Sequence, residues 1–451
     1  MTDSTMRSLL LLTLFVLAGG PAAWAQTATQ GSMGAVVQAK PPDSSTTACP
    51  AGLPAETRCL TGKDSAGAYY WIAVPTPWTG VLVLHSHGGP ELGDPKPERS
   101  AEDMKRWAIM VKAGHAWAGS TFRQGGVAVR SAAEDTERLR TIFIDKVGKP
   151  RLTLLHGQSW GAGVAAQGAQ MFPTSYDAVL LTSGVLGGGS KSYDFRLDLR
   201  VVYQALCANH PQPDEPAYPL WQGLPLDARL TRAELAARVD QCTGLRLKPE
   251  QRSAEQQSKL GTLLKVIRVP ERSLIGHLNW ATWHFQDVAF KRLGGRNAFG
   301  NQNVRYAGSP DDDALNARVQ RYTADPQAAA QFAQDTDPGG RIRVPVLTLH
   351  AIGDPVAFVE LESTFRDTMQ AGGSADHLVQ TFTDDHEHSY LSDVQYVAAV
   401  QSLLAWVERG EKPTPPSVAA RCNGLETAFG AGCRFVPDYR NAPLSQRVAP
   451  R

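Results

Sequence analysis

The chain has 451 residues, with 45 Lys and Arg against 44 Asp and Glu and a formal net charge of +1. Charges of both signs are interspersed, which excludes the basic stripe that a nucleic-acid or polyanion partner requires. The length is enough for one large core and a second lobe.

In chain order, the first feature is an export signal over residues 1–25. Arg7 precedes an apolar run from Leu9 to Ala18, and Ala23-Trp24-Ala25 provides the small-residue cleavage pattern. The run is shorter than the roughly 20 residues of a membrane span, and Gly19-Gly20-Pro21 closes it. A mature chain beginning near Gln26, secreted or periplasmic and without a membrane anchor, is therefore expected. No cysteine follows the apolar run, so no lipid anchor is expected either. Residues 26–48 are rich in Ser, Thr, Gly and Gln and read as a flexible leader.

Six cysteines fall into three sequence-local pairs: Cys49 with Cys59, Cys207 with Cys242, and Cys422 with Cys433. In an exported chain an even count predicts disulfides; spacing leaves the connectivity open, and local pairing is the simplest solution. No C-x-x-C or H-E-x-x-H pattern occurs, so no metal site is expected.

Strand-like and helix-like segments then alternate. Tyr69 to Val74 is strand-like, and Val81 to Ser86 is an apolar run that breaks into His87-Gly88-Gly89-Pro90. A helix near 101–113, a strand at 115–121 and a helix at 131–146 follow. Arg151 to His156 is a short apolar strand, Ala162 to Met171 a small-residue helix, and between them lies Gly157-Gln158-Ser159-Trp160-Gly161. A strand from Ala178 to Ser183 ends the series. Such alternation predicts a parallel sheet covered on both faces. His85, His87 and His156 read as hydrogen-bonded structural histidines. Arg123 reads as solvated, and Asp135 as a carboxylate that complements a helix N-terminus.

Residues 190–340 lack strand alternation, and Thr231–Gln241, Ser253–Ile267 and Asp312–Tyr322 look helical. The aromatic-dense segment His277 to Phe285 predicts a helix packed into its own core, with pocket lining as the alternative. Gly294 to Gly308 reads as a loop that serves as a lid. Val344 to His350 is again a buried-strand run, followed by Ala351-Ile352-Gly353-Asp354-Pro355. A helix over Val359–Met369, a strand over Leu378–Phe382 and a helix from Ser392 to Val407 come next. The loop before that last helix holds both His386 and His388. Residues 411–451 form a tail with a cysteine pair and no visible chemistry.

A G-x-S-x-G turn between a strand and a helix, an upstream H-G-G-P loop, and a later Asp and His in that order resemble the α/β-hydrolase superfamily, over most of residues 65–190 and 340–408. The resemblance implies the α/β-hydrolase fold: a mostly parallel sheet with helices on both faces and a large helical cap inserted after the sixth strand. The catalytic domain would span 49–189 and 341–410, and the cap 190–340. It further implies Ser159 as nucleophile, Asp354 as orienting acid, His388 as general base, and Gly89 and Trp160 as oxyanion-hole donors, with no metal or cofactor. His388 is favoured over His386 because it stands four residues before Ser392, a spacing at which superfamily members often carry Ser or Thr. The activity so implied is cleavage of a small-molecule carboxylic ester through an acyl-serine. H-G-G-P with G-x-S-W-G is also similar to the prolyl iminopeptidase branch, which makes an N-terminal peptide bond the alternative. Glu91-Leu92-Gly93 stands where that branch has further glycines. A third reading, a non-catalytic binding module on this fold, has no use for the complete Ser, Asp, His and H-G-G set.

Overall fold

The apolar runs of the sequence become the middle of a twisted sheet. A computed structural model describes residues 43–451, and among these the sheet has nine strands: β1 (Asp43–Thr47), β2 (Arg58–Lys63), β3 (Tyr69–Val74), β4 (Val81–Ser86), β5 (Ala116–Ser120), β6 (Leu152–Gln158), β7 (Ala178–Thr182), β8 (Val346–Ala351) and β9 (Leu378–Thr383). Their order is β1-β2-β3-β5-β4-β6-β7-β8-β9. The first three pair antiparallel up to the β3–β5 contact, and β5-β4-β6-β7-β8-β9 is parallel throughout. Every residue of β4, β5, β7 and β8 is buried, as expected of strands covered on both faces. One face is covered by helices Val129–Lys146, Trp160–Met171 and Leu361–Ala371, through Leu139, Phe143, Ala165, Ala169 and Phe365. The other is covered by Glu98–Arg106, Ala108–Lys112 and Asp393–Arg409, through Met104, Met110, Val397 and Leu403. This is the α/β-hydrolase fold.

The expected signal and the leader up to residue 42 lie outside the described residues. The end of that leader is not loose, because Asp43–Thr47 forms β1, with Thr46 opposite Leu60 and Thr47 opposite Cys59. The Cys49–Cys59 disulfide fastens the chain directly after this strand. β1 and β2 both precede the five strands read from the sequence, so in this chain's own numbering the cap follows β7.

Between β7 and β8 the chain is helical from Gly188–Cys207 to Pro326–Thr336. It has an apolar core of its own, built on Leu197, Val201, Leu235, Leu263, Leu278 and Phe285. The Gly294–Gly308 segment is packed, not a lid. Phe299, Val304 and Tyr306 are buried in that core, and Asn297 and Asn301 hydrogen-bond backbone carbonyls on both sides of it.

The tail runs from the sheet to the cap. Helix Pro415–Phe429 packs on Asp393–Arg409, and the Cys422–Cys433 disulfide folds the chain back to β9, where Val436 N–H donates to Phe382 O at 2.9 Å. Further on, Val448 enters the cap core, Arg447 pairs with Glu360 at 2.8 Å, and Arg451 pairs with Asp194 and Asp198 at 3.1 and 3.2 Å.

The third disulfide, Cys207–Cys242, lies inside the cap. All three bridges join the sequence-local pairs, with Cα separations of 5.3, 5.7 and 5.8 Å that suit disulfides. Alkylation of the unfolded, unreduced protein should therefore add no mass, and full reduction should expose six reactive thiols. Six alkylated cysteines without reductant would contradict the pairing.

Candidate active site

Ser159 ends the turn after β6 and immediately precedes helix Trp160–Met171, at φ 57° and ψ −122°. This conformation costs a residue with a Cβ roughly 1–3 kcal/mol and persists only where the surroundings hold it. Here the backbone is held on both sides: Ser159 N–H donates to Thr182 O at 2.9 Å, and Ser159 O accepts from Ala162 and Val185 N–H at 3.1 and 3.0 Å. The flanking glycines are required by close approach. A Cβ on Gly157 would lie 2.7 Å from the Ala165 Cβ, and one on Gly161 would lie 2.7 Å from the Ser86 carbonyl carbon and closer still to Ser86 O and His87 O. The helix opening is thus pressed directly against the loop after β4.

That contact makes any side chain at position 161 costly. Gly161→Ala should destabilise the protein by about 1–3 kcal/mol, because backbone and not a pliable side chain must move. The same shift displaces the Gly88-Gly89 loop, so turnover should fall at least tenfold. Denaturant unfolding and turnover measured side by side check it, and parent values for both would show that the loop yields freely.

The β4 loop carries Gly89 at φ 146°. It is pinned by His87, whose Nδ1 lies 2.6 Å from Gly88 O and whose ring stacks on Phe122 at 4.3 Å. Burial pushes the His87 pKa down to about 4, so this imidazole is neutral. Trp160 is the first residue of its helix, and a first-turn N–H has no acceptor inside its own helix.

Asp354 follows β8 and His388 follows β9, and neighbouring parallel strands bring both loops to the edge of the sheet above Ser159. His388 Nε2 lies 2.7 Å from Ser159 Oγ, and its Nδ1 lies 2.8 and 3.0 Å from the two Asp354 carboxylate oxygens. A carboxylate only accepts, so Nδ1–H donates to Asp354 and Nε2 is left to accept from the hydroxyl. The Asp354 side chain is fully buried, and its Oδ1 also accepts from Val356 and Ala357 N–H at 2.8 and 2.9 Å. His386 is turned outward with its side chain 71% exposed, and its nearest carboxylate is Asp384 at 3.8 Å. Of the two histidines, only His388 is brought to the serine.

Several supporting groups gave no signal in the sequence. Ser389, at φ 60°, is held from three sides: Gln158 Nε2 donates to its Oγ at 2.5 Å, and Arg106 and the Tyr396 hydroxyl both donate to its carbonyl. Arg106 also donates to Gln158 Oε1 at 3.2 Å. Gln158 sits within the five-residue motif, but nothing in the pattern reveals that its side chain reaches a loop more than two hundred residues later. Beneath Asp354, buried His350 donates from Nδ1 to Glu362 at 3.1 Å and from Nε2 to Ala357 O at 2.7 Å. Burial opposes charge on this ring, but Glu362 and Asp354 outweigh it and hold its pKa above the ordinary histidine value. His85 and His156 bond each other through their Nδ1 atoms at 3.0 Å, and burial pushes the His156 pKa down to about 3. Asp135 is not in a first helical turn. It is buried inside Val129–Lys146, bonded to Arg123 N–H and paired with Arg138, and Arg123 is drawn to it at 2.9 Å instead of being solvated.

The cap approaches from above. His284 Nε2–H donates to Pro90 O at 2.9 Å and His277 Nε2–H to Pro355 O at 3.0 Å, so the aromatic segment is bonded to both loops that flank the serine. It serves both expected purposes: Leu278 and Phe285 fill the cap core, while His277 and Trp280 line a cleft of about 450 Å³ that His388 also lines. Among the described residues no cluster of three or more His, Cys, Asp or Glu could hold a metal ion, and no helix is long and apolar enough to cross a membrane.

No protein-family model matches the sequence, and no curated protein does. Solved structures to which it is similar include an esterase from Aspergillus oryzae, with 13% identity over 82% of this chain and 86% of that one and a TM-score of 0.47. Feruloyl esterase B from Aspergillus oryzae has 15% identity over 82% and 86%, with a TM-score of 0.40. The rice cell wall degrading esterase LipA from Xanthomonas oryzae, in a ligand-bound form, has 13% identity over 78% and 90%, with a TM-score of 0.38. The assignment of the fold rests on the strand order and on the turn at Ser159.

Proposed function

We propose that this chain is an exported serine hydrolase that cleaves carboxylic esters of small molecules. The single observation that carries the reading is the continuous chain of hydrogen bonds from Ser159 Oγ through His388 to buried Asp354. The export signal at 1–25 and the three disulfides support the compartment.

In this mechanism Ser159 Oγ attacks the ester carbonyl carbon while His388 Nε2 takes its proton. Asp354 fixes the tautomer that makes Nε2 an acceptor and stabilises the imidazolium that results. The N–H groups of Gly89 and Trp160 hold the tetrahedral oxyanion. Collapse expels the alcohol, which leaves with the proton from His388, and Ser159 is acylated. Water then attacks the acyl carbon with His388 again as base, and the carboxylic acid departs.

Fluorophosphonate labelling followed by a panel of para-nitrophenyl esters and aminoacyl anilides tests this. Labelling at Ser159 with ester turnover is the expected result. Anilide turnover without ester turnover would favour the iminopeptidase type of reaction, and absence of labelling would leave a binding module.

A further inference from the structure

Arg196 lies on the first cap helix, Gly188–Cys207, and is only 2% exposed. Charges buried to this degree are ordinarily paired, because an uncompensated one loses most of its hydration. Yet among the described residues no carboxylate comes within ion-pair distance of Arg196. One terminal nitrogen donates to Ser192 O, one turn back in the same helix, and Nε has no acceptor. The guanidinium is otherwise sandwiched by rings, 4.5 Å from the Trp280 centroid and 4.6 Å from that of Phe195. Arg200, one turn further on, is also buried but spends both terminal nitrogens on His210 O and the Tyr218 hydroxyl. Burial has pulled the Arg196 pKa down to about 10, so it remains a cation at neutral pH.

Arg196 also lines the 450 Å³ cleft that contains His388. The other charged side chains lining this cleft are Arg272 and Glu387, which neutralise each other at 2.6 Å. Trp280 and Tyr390 supply apolar wall. The cleft therefore presents one net positive charge with unused donors, aromatic sides and the histidine that bonds Ser159. An arginine fork of this kind matches a planar carboxylate.

We infer that the cleft selects esters that carry a second, free carboxylate, and that Arg196 binds that carboxylate while Ser159 attacks the ester. The inference rests on the serine-esterase reading of the site.

The test uses two ester pairs that differ by one charge. Para-nitrophenyl hydrogen adipate against para-nitrophenyl methyl adipate places the carboxylate on the acyl side. Para-carboxyphenyl hexanoate against its methyl-ester analogue places it on the alcohol side. The parent protein should favour the charged member of one pair by about tenfold or more in kcat/KM, chiefly through KM. Arg196→Met should abolish that preference, with fluorophosphonate labelling of Ser159 showing that the variant is folded. Equal rates within both pairs overturn the inference, as does a preference that survives Arg196→Met. If Arg196→Met does not fold, inhibition of the parent decides: adipate should compete with neutral ester and hexanoate should do so at least tenfold less well, and equal inhibition overturns the inference. If no ester is turned over and Ser159 is not labelled, the esterase reading has failed. Calorimetry of adipate with the parent and with Arg196→Lys then judges the site alone: tight binding weakened at least tenfold by the substitution supports it, and no binding overturns it.

Discussion

Ser159→Ala should eliminate fluorophosphonate labelling and lower ester turnover by roughly four to six orders of magnitude, leaving only what binding and the oxyanion donors provide. The size of the effect follows from geometry. Ser159 Oγ is the atom 2.7 Å from His388 Nε2, and the turn that presents it is fixed by three backbone hydrogen bonds that do not involve the side chain. The alanine variant should therefore keep the parent's unfolding midpoint in denaturant. Turnover retained at the parent level, or labelling that persists at another residue, would move the nucleophile elsewhere.

His388→Ala should be nearly as damaging, because a missing base disables the serine and the acid with it. His386→Ala should retain most activity, since that side chain is exposed and it is His388 that bonds Ser159. Both variants belong in the same ester assay, with labelling rates alongside. If His386→Ala is the inactive one and His388→Ala turns over normally, the base assignment is wrong by two residues. His388 lines the open cleft, so the loss should appear in kcat and not in stability.

What could be read from the sequence was local. The apolar runs of β4, β6, β7 and β8 announce buried parallel strands, and Gly157 and Gly161 mark a turn whose backbones nearly touch. Chain order then places an acid and a histidine on the loops after β8 and β9. What could not be read depends on pairings between distant segments. β1 has the polar composition Asp-Ser-Ser-Thr-Thr, and only its partner β2 makes it a strand. The Arg106, Gln158 and Ser389 network joins three stretches of chain with no shared pattern. The Gly294–Gly308 segment has the composition of a loop but carries Phe299, Val304 and Tyr306 at intervals that match no regular period, so its burial emerges only with the cap core around it. Arg196 looks like any other helical arginine until Trp280 and Phe195 close over it.

The path of the C-terminal tail bears on how molecules reach Ser159. An inserted domain joined to its sheet by two adjacent strand ends could rock about them as a hinge. Here a third tether spans the same joint, with Val448 set into the cap core and Arg451 paired to Asp194 and Asp198 on its first helix. Rocking would have to extract Val448 and separate those ion pairs on every cycle. The parts of the cleft left free to move are exposed side chains such as Tyr390 at 73% exposure, and rotamer changes of exposed side chains take picoseconds to nanoseconds. A cap held at three points should then impose no slow opening step of the kind that swinging lids bring.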